Sequence, residues 1–177
     1  MIRRIRGNAY CAKVSPQLAN RVAESSRGPL NRLLPDVWVH TEHCAGLKAG
    51  KSPGFALTLV AESTSGTLLM AEGAAAQGGT LPEDLGQRVS LLLLEEVRRG
   101  GCVDSSHQAL ALLLMVLCPE DVSRLRVGRL TQYSVRVLRL LRDFFGVTFR
   151  IKPDHDSSTV MMSCLGIGYK NLARGAT

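Results

Sequence analysis

Imidazoles, thiols and carboxylates are the side chains here that could carry chemistry, and their spacing is the first constraint on what the chain can do. His40, His43 and Cys44 fall in one short stretch. A structural zinc site takes four ligands and no fourth lies nearby, so a polar strand end and loop is the plainer expectation. The cysteines, Cys11, Cys44, Cys102, Cys118 and Cys164, are odd in number and widely spaced, with no CxxC pair. Neither a zinc knuckle nor a redox pair is expected from them; most read as small core hydrophobes in a reducing compartment. His107 could serve as a base or a nucleophile, but no positioned acid is visible beside it, and a first-turn helix residue is the expectation. Glu95 and Glu96 beside Arg98 and Arg99 read as solvated helix pairs, and Asp154 and Asp156 as turn residues. Two-metal chemistry needs several converging carboxylates, which nothing in the spacing suggests, so no metal site is expected. Gly166-Ile-Gly168 lacks the third glycine and the helix of a phosphate-cradling loop and reads as a strand end.

The arginines are more informative. Net charge is +7, and the stretch from Arg124 to Lys152 holds eight bases and one acid, Asp143, which accounts for the entire excess. A localised basic surface suits a polyanion such as RNA, or an acidic protein, and the guanidinium fork grips phosphate in a bidentate way. Arg124, Arg126, Arg129, Arg136, Arg139 and Arg142 are therefore the candidate RNA- or partner-binding residues. The loop from Glu42 to Pro53, with Lys48 and Lys51, is a weaker second candidate surface, an ordinary solvated loop being the plainer expectation.

These residues need elements to hold them. Asn8 to Val14 reads as a strand, and Ser15-Pro16 starts a helix, serine as cap and proline in its first turn. Leu18, Ala19, Val22 and Ala23 give that helix its apolar stripe to about Arg27, where Gly28-Pro29 is expected to interrupt it. Val37 to Thr41 is a strand. Phe55, Leu57, Leu59 and Ala61 alternate as a half-buried strand, answered by a returning strand from Thr67 to Glu72. Thr80-Leu81-Pro82-Glu83 has the form of a capping box, opening a helix with Leu85, Val89, Leu92, Leu93 and Val97 inward and Gly100-Gly101 at its end. Ser105-Ser106-His107-Gln108 begins another helix, apolar nearly all round and expected to be buried on several sides. A short basic strand, Leu125 to Leu130, precedes a helix over Ser134 to Phe145 with Val137, Leu138, Leu141 and Phe145 inward. Arg136, Arg139 and Arg142 recur every three residues on its exposed face. Val147 to Lys152 and Thr159 to Cys164 form a closing hairpin.

With 177 residues, 45% of them apolar and 21% charged, the chain can bury a sizeable core and is not disordered. The longest uncharged apolar run, Ala109 to Cys118, is about half of the ~20 residues that a membrane span requires. The basic start, Met1 to Arg6, is followed by no apolar stretch of signal-peptide length; neither export nor membrane contact is expected.

Several stretches, taken together and in order, resemble one family. They are Lys51-Ser-Pro-Gly-Phe, Ala61-Glu-Ser-Thr-Ser-Gly-Thr, Leu81-Pro-Glu-Asp-Leu-Gly, Leu94-Glu-Glu-Val-Arg-Arg-Gly-Gly-Cys-Val-Asp-Ser and Cys164-Leu-Gly-Ile-Gly-Tyr-Lys-Asn-Leu. The resemblance is to the eukaryotic RNA 3′-terminal phosphate cyclase-like proteins, ribosome-biogenesis relatives of the RNA 3′-phosphate cyclases, and it runs from about Arg4 to the end. It implies an α+β fold: a small inserted α/β domain followed by the last βαβαββ-type repeat of a cyclase-like large domain. By resemblance, residues 1–6 end a large-domain strand, 7–99 form the insert and 100–177 close the large domain. The earlier repeats, which carry most of the family's catalytic apparatus, lie outside this chain, as in a short isoform or a fragment.

The cyclases take AMP from ATP on a histidine. The resemblance places that position at Tyr133, a phenol whose ordinary pKa near 10 makes it a poor nucleophile at neutral pH. Gln108 matches another nucleotide-contacting position, and His107 replaces an aspartate before it. Tyr133, His107 and Gln108 thus form a degenerate cyclase site, with no catalytic residue and no cofactor implied. The implied function is a non-catalytic factor in precursor rRNA processing for the 18S, small-subunit RNA, in the nucleolus. Its implied partners are a large nucleolar GTPase, precursor rRNA and the small-subunit processome. The alternative is an RNA-processing enzyme, either an endonuclease on precursor rRNA, with Arg142-Asp143 taking part, or a residual cyclase.

Overall fold

The computed structural model describes residues 1–76 and 79–170, the side chains of Leu47 and Lys48 apart. The chain is mixed α+β and divides into two compact units, Met1–Arg98 and Arg99–Thr177.

In the first unit a four-stranded sheet is backed by two helices. Its elements are β1 (Ile2–Ala12), α1 (Pro16–Asn31), β2 (Val37–Cys44), a short 3₁₀ turn (Gly46–Ala49), β3 (Gly54–Ser63), β4 (Leu68–Ala74) and α2 (Pro82–Arg99). The strand order is β2-β1-β3-β4. β1 pairs in parallel with β2, Ile5 opposite Val37, and antiparallel with β3. Period-two alternation sends Ile5, Ala9 and Cys11 of β1 and Leu57, Leu59 and Ala61 of β3 into the core, where they meet Val22 and Leu30 of α1 and Leu85, Val89 and Leu93 of α2. Each fully buried leucine in this cluster removes enough apolar area from water to contribute about 1.5–3 kcal/mol.

The structure revises several expectations here. The first strand starts at Ile2 rather than Asn8, because Arg4 and Arg6 pair with Glu62 and Val60 of β3. α1 continues through Gly28-Pro29 to Asn31. Pro29 lies in the last turn, where its ring removes one main-chain hydrogen bond, and the complete burial of Leu30 keeps the turn helical. The capping box does not form: the Thr80 hydroxyl accepts from the Ala76 N–H, and the Glu83 carboxylate instead takes both arms of Arg21 at 2.7 and 2.9 Å. On α2, Leu92 is 48% exposed, since the inward rows are Leu85-Val89-Leu93 and Gly86-Ser90. Only Cys11 and Cys164 are buried; Cys102 and Cys118 are exposed.

The second unit holds α3 (Gln108–Leu117), β5 (Val122–Val127), α4 (Gln132–Phe145), β6 (Arg150–Asp154) and β7 (Thr159–Leu165). The antiparallel sheet has the order β5-β7-β6. Where a βαβαββ repeat would have a leading strand, the described residues form one bridge, Gly101 to Val127. Leu112, Met115 and Val116 of α3 and Leu141 of α4 pack on Val127, Met162 and Cys164 of the sheet. α3 is not enclosed on all sides: Leu110 and Leu114 are more than half exposed. Phe145 stays at the margin of the core, lining a groove between α3 and α4 with Tyr133, Leu140 and Phe144. Among the described residues no helix is long and apolar enough to cross a membrane.

Candidate functional site

His107, Gln108 and Tyr133, expected as a degenerate cyclase site, meet where α3 and α4 begin. Gln108, the first residue of α3, is buried, and its amide is used by the fold. Nε2 donates to the Arg129 carbonyl at 3.1 Å, while Oε1 accepts from the Thr131 N–H at 3.2 Å and the Ser134 hydroxyl at 3.0 Å. Thr131 caps α4, its hydroxyl accepting from the Ser134 N–H at 3.0 Å. The helix therefore opens at Gln132, two residues before the expected Ser134. One side chain of α3 thus holds the turn that presents Tyr133, whose phenol is 66% exposed beside the α3–α4 groove.

His107 has the acid that the sequence pattern did not reveal. Asp104, 4% exposed, places Oδ1 2.8 Å from His107 Nδ1 and accepts from the N–H groups of Ser106 and His107 at 3.1 Å each. This buried carboxylate closes the turn before α3 and orients the imidazole, whose side chain is 42% exposed. A carboxylate holding Nδ1 selects the tautomer and leaves Nε2 as the chemically available nitrogen. The signal that could have found it was the Asp-x-x-His spacing immediately ahead of a helix, the interval at which a turn carboxylate reaches forward to main-chain amides.

The arginine run divides. Arg136, Arg139 and Arg142 lie on the exposed side of α4, and among the described residues no carboxylate pairs with Arg136 or Arg139. Arg142 touches its neighbour Asp143 at 3.1 Å, an exposed contact of little energetic weight. Arg129 sits exposed in the β5–α4 turn. Arg124 and Arg126 are on β5 instead. Arg126 is committed to the β6–β7 turn, donating to Asp154 Oδ2, to the Ser157 hydroxyl at 3.1 Å and to the Thr159 hydroxyl at 2.9 Å. The hydrogen bond from Arg126, with those from Ser157, holds the Asp154 carboxyl at about 2.

His40, His43 and Cys44 lie on β2, and no group of three or more metal-ligating side chains converges among the described residues. The segment expected as a loop from Glu42 to Pro53 begins instead with the end of β2, which runs to Cys44, and holds the 3₁₀ turn Gly46–Ala49; in it Lys51 is exposed, and the Lys48 side chain lies outside the described residues.

Comparison with known proteins bears on the whole chain. Residues 1–98 match the family model described as RNA 3′-terminal phosphate cyclase (RTC), insert domain. Over 98% of its length the chain is 51% identical to a Dictyostelium discoideum protein named probable RNA 3′-terminal phosphate cyclase-like protein. It is 50% identical to the human RNA 3′-terminal phosphate cyclase-like protein, again over 98% of the chain. A Schizosaccharomyces pombe relative, 44% identical over 97% of the chain, bears the name rRNA processing protein rcl1. The chain spans 47–50% of the length of these relatives. With an insert-domain match over more than half of its residues, this chain belongs to the RNA 3′-terminal phosphate cyclase family.

Proposed function

We propose that the chain belongs to a protein that takes part in precursor rRNA processing for the small ribosomal subunit, in the nucleolus, as an assembly factor without cyclase activity. The observation that carries this reading is the exposed phenol of Tyr133, which the family resemblance sets where the cyclases have their histidine. Gln108, which the resemblance sets beside it, spends its polar atoms on Arg129, Thr131 and Ser134. The name of the S. pombe relative supports the processing role. In this reading the first unit is the family's insert and the second closes its large domain. The arginine surfaces contact precursor rRNA or an acidic segment of a partner; the family resemblance points to a large nucleolar GTPase and the small-subunit processome as those partners.

The test is adenylylation. The full-length protein is incubated with ATP labelled in the α-phosphate and resolved under denaturing conditions. No covalent AMP adduct is expected. A stable adduct that disappears in Tyr133→Phe or His107→Ala would overturn the proposal.

One observation favours a second reading, an RNA-cleaving enzyme. The Asp104–His107 pair is an oriented imidazole of the kind that serves as a general base. If it cleaves, a model precursor rRNA is cut by the purified protein and the cut is lost in His107→Ala; Arg142→Ala with Asp143→Ala tests the other candidate pair in the same assay.

A further inference from the structure

Strand register sorts the basic run in a way that spacing alone does not. In β5, Leu125 and Val127 face the helices, so Arg124 and Arg126 take the opposite face of the sheet. β7 puts Met162 and Cys164 into the core and Met161 and Ser163 outward. The ladder then places Arg124 opposite Ser163 and Ser163 opposite Arg150; one step along, Arg126, Met161 and Lys152 form a parallel row. Four cations thus occupy the two outer strands on the face away from α3 and α4, flanking a central strand that offers a hydroxyl and a thioether. Arg124, Arg150 and Lys152 are exposed, and among the described residues none of the three has a carboxylate partner. At the hairpin end of this face two acids face the same concavity as Lys152: Asp154, already held by Arg126, and the exposed Asp156.

We propose that this sheet face is an RNA-backbone binding surface, with Arg124 on one side of β7 and Arg150 and Lys152 on the other gripping successive phosphates. The inference deepens the rRNA reading above and rests on it. Adjacent strands are about 4.8 Å apart, which sets the two cationic ranks about 9.5 Å from each other across β7. A single strand of nucleic acid can lie between them with phosphates turned to either rank. Arginine forks match phosphate oxygens in a bidentate way, and Met161 offers a soft apolar contact to a base. The charge balance favours a polyanion. RNA is the better occupant than an acidic protein because the cationic rows bracket only Ser163 and Met161; the exposed aliphatic pair of this face, Val122 opposite Leu165, lies beyond them at its end, not at the centre where the anchors of protein interfaces cluster. The face differs from the exposed side of α4, so the two arginine sets can be separated by mutation.

The experiment is a salt titration of the chain with a fluorescein-labelled oligouridylate, read by anisotropy. Three variants accompany the wild type: Arg124→Ala/Arg150→Ala/Lys152→Ala, Arg124→Lys/Arg150→Lys, and Arg136→Ala/Arg139→Ala on α4. Every phosphate of a single strand that a side chain ceases to neutralise lowers the salt slope by about 0.7, so the triple alanine variant should lose about 2. The lysine variant should keep its slope, and thermal melting should be unchanged in both. An unchanged slope in the triple alanine variant, with wild-type binding intact, overturns this inference alone. Displacement of the oligonucleotide by polyglutamate at equal charge concentration overturns it in favour of an acidic protein. Absence of any salt-dependent binding by the wild type overturns both this inference and the RNA-contact part of the proposed function.

Discussion

The Gln108 amide oxygen accepts the Ser134 hydroxyl at 3.0 Å, inside the second unit and away from solvent. With the bonds to Arg129 and Thr131, this contact ties the start of α3 to the start of α4. Gln108 is thus a clamp between two helices. Gln108→Leu leaves the Thr131 N–H and the Arg129 carbonyl without that partner. A buried unpaired polar group costs about 1–3 kcal/mol, so the variant should be destabilised by about 2–4 kcal/mol in denaturant unfolding. A loss below 0.5 kcal/mol, roughly the scatter of surface substitutions, would mean that the clamp carries no weight.

The Arg126–Asp154 contact makes a pH prediction. The carboxyl is held at about 2 in the folded chain, against about 3.9 when unfolded. A depressed folded value means that the contribution is fully present above pH ~4 and is lost as pH falls towards 2. Acid unfolding of the wild type should therefore steepen in that window relative to Asp154→Asn, which has no carboxyl to titrate. Coincident pH profiles for the two proteins would count against the contact.

In the first unit, Gly86 marks the close approach of α2 to α1. A Cβ there would lie 2.0 Å from Ser25 Oγ and 2.5 Å from the Val22 carbonyl oxygen. Alanine favours a helix over glycine by about 1 kcal/mol, but overpacking costs about 1–3 kcal/mol and rises when backbone must move. Gly86→Ala should therefore destabilise the chain by about 1–2 kcal/mol net, measured by thermal unfolding. A stabilised variant would show that the helices separate without cost.

The α3 and α4 surfaces predict solution behaviour. Leu110, Leu114, Leu140 and Phe144 are between 52% and 79% exposed, and an apolar patch of this kind promotes association. The chain expressed by itself should self-associate in light scattering, and Leu140→Lys with Phe144→Ser should shift it towards monomer. A monodisperse wild-type monomer with cooperative melting would contradict this.

Much of this protein was legible in its residues. The alternation in β3 and the apolar stripes of α1, α2 and α4 each record a single face turned inward, and the pattern suffices when one face decides an element. The quoted stretches were enough to place the chain in its family. The acid beside His107 was a local miss, three residues away; other failures depended on partners distant in sequence. Glu83 left its local capping role because Arg21, on another helix, offers two charge-assisted hydrogen bonds. Leu92 turned outward because α2 meets α1 along Gly86 and Ser90.

What the order of residues determined by itself was the inventory: the α+β succession and the excess of arginine after position 124. Tertiary structure decided how that inventory is divided. A strand sends successive side chains to opposite faces, and only the packing of α3 and α4 on one of them makes the other an outer surface. That choice separates Arg124, Arg150 and Lys152 from the arginines of α4 and commits Arg126 to Asp154.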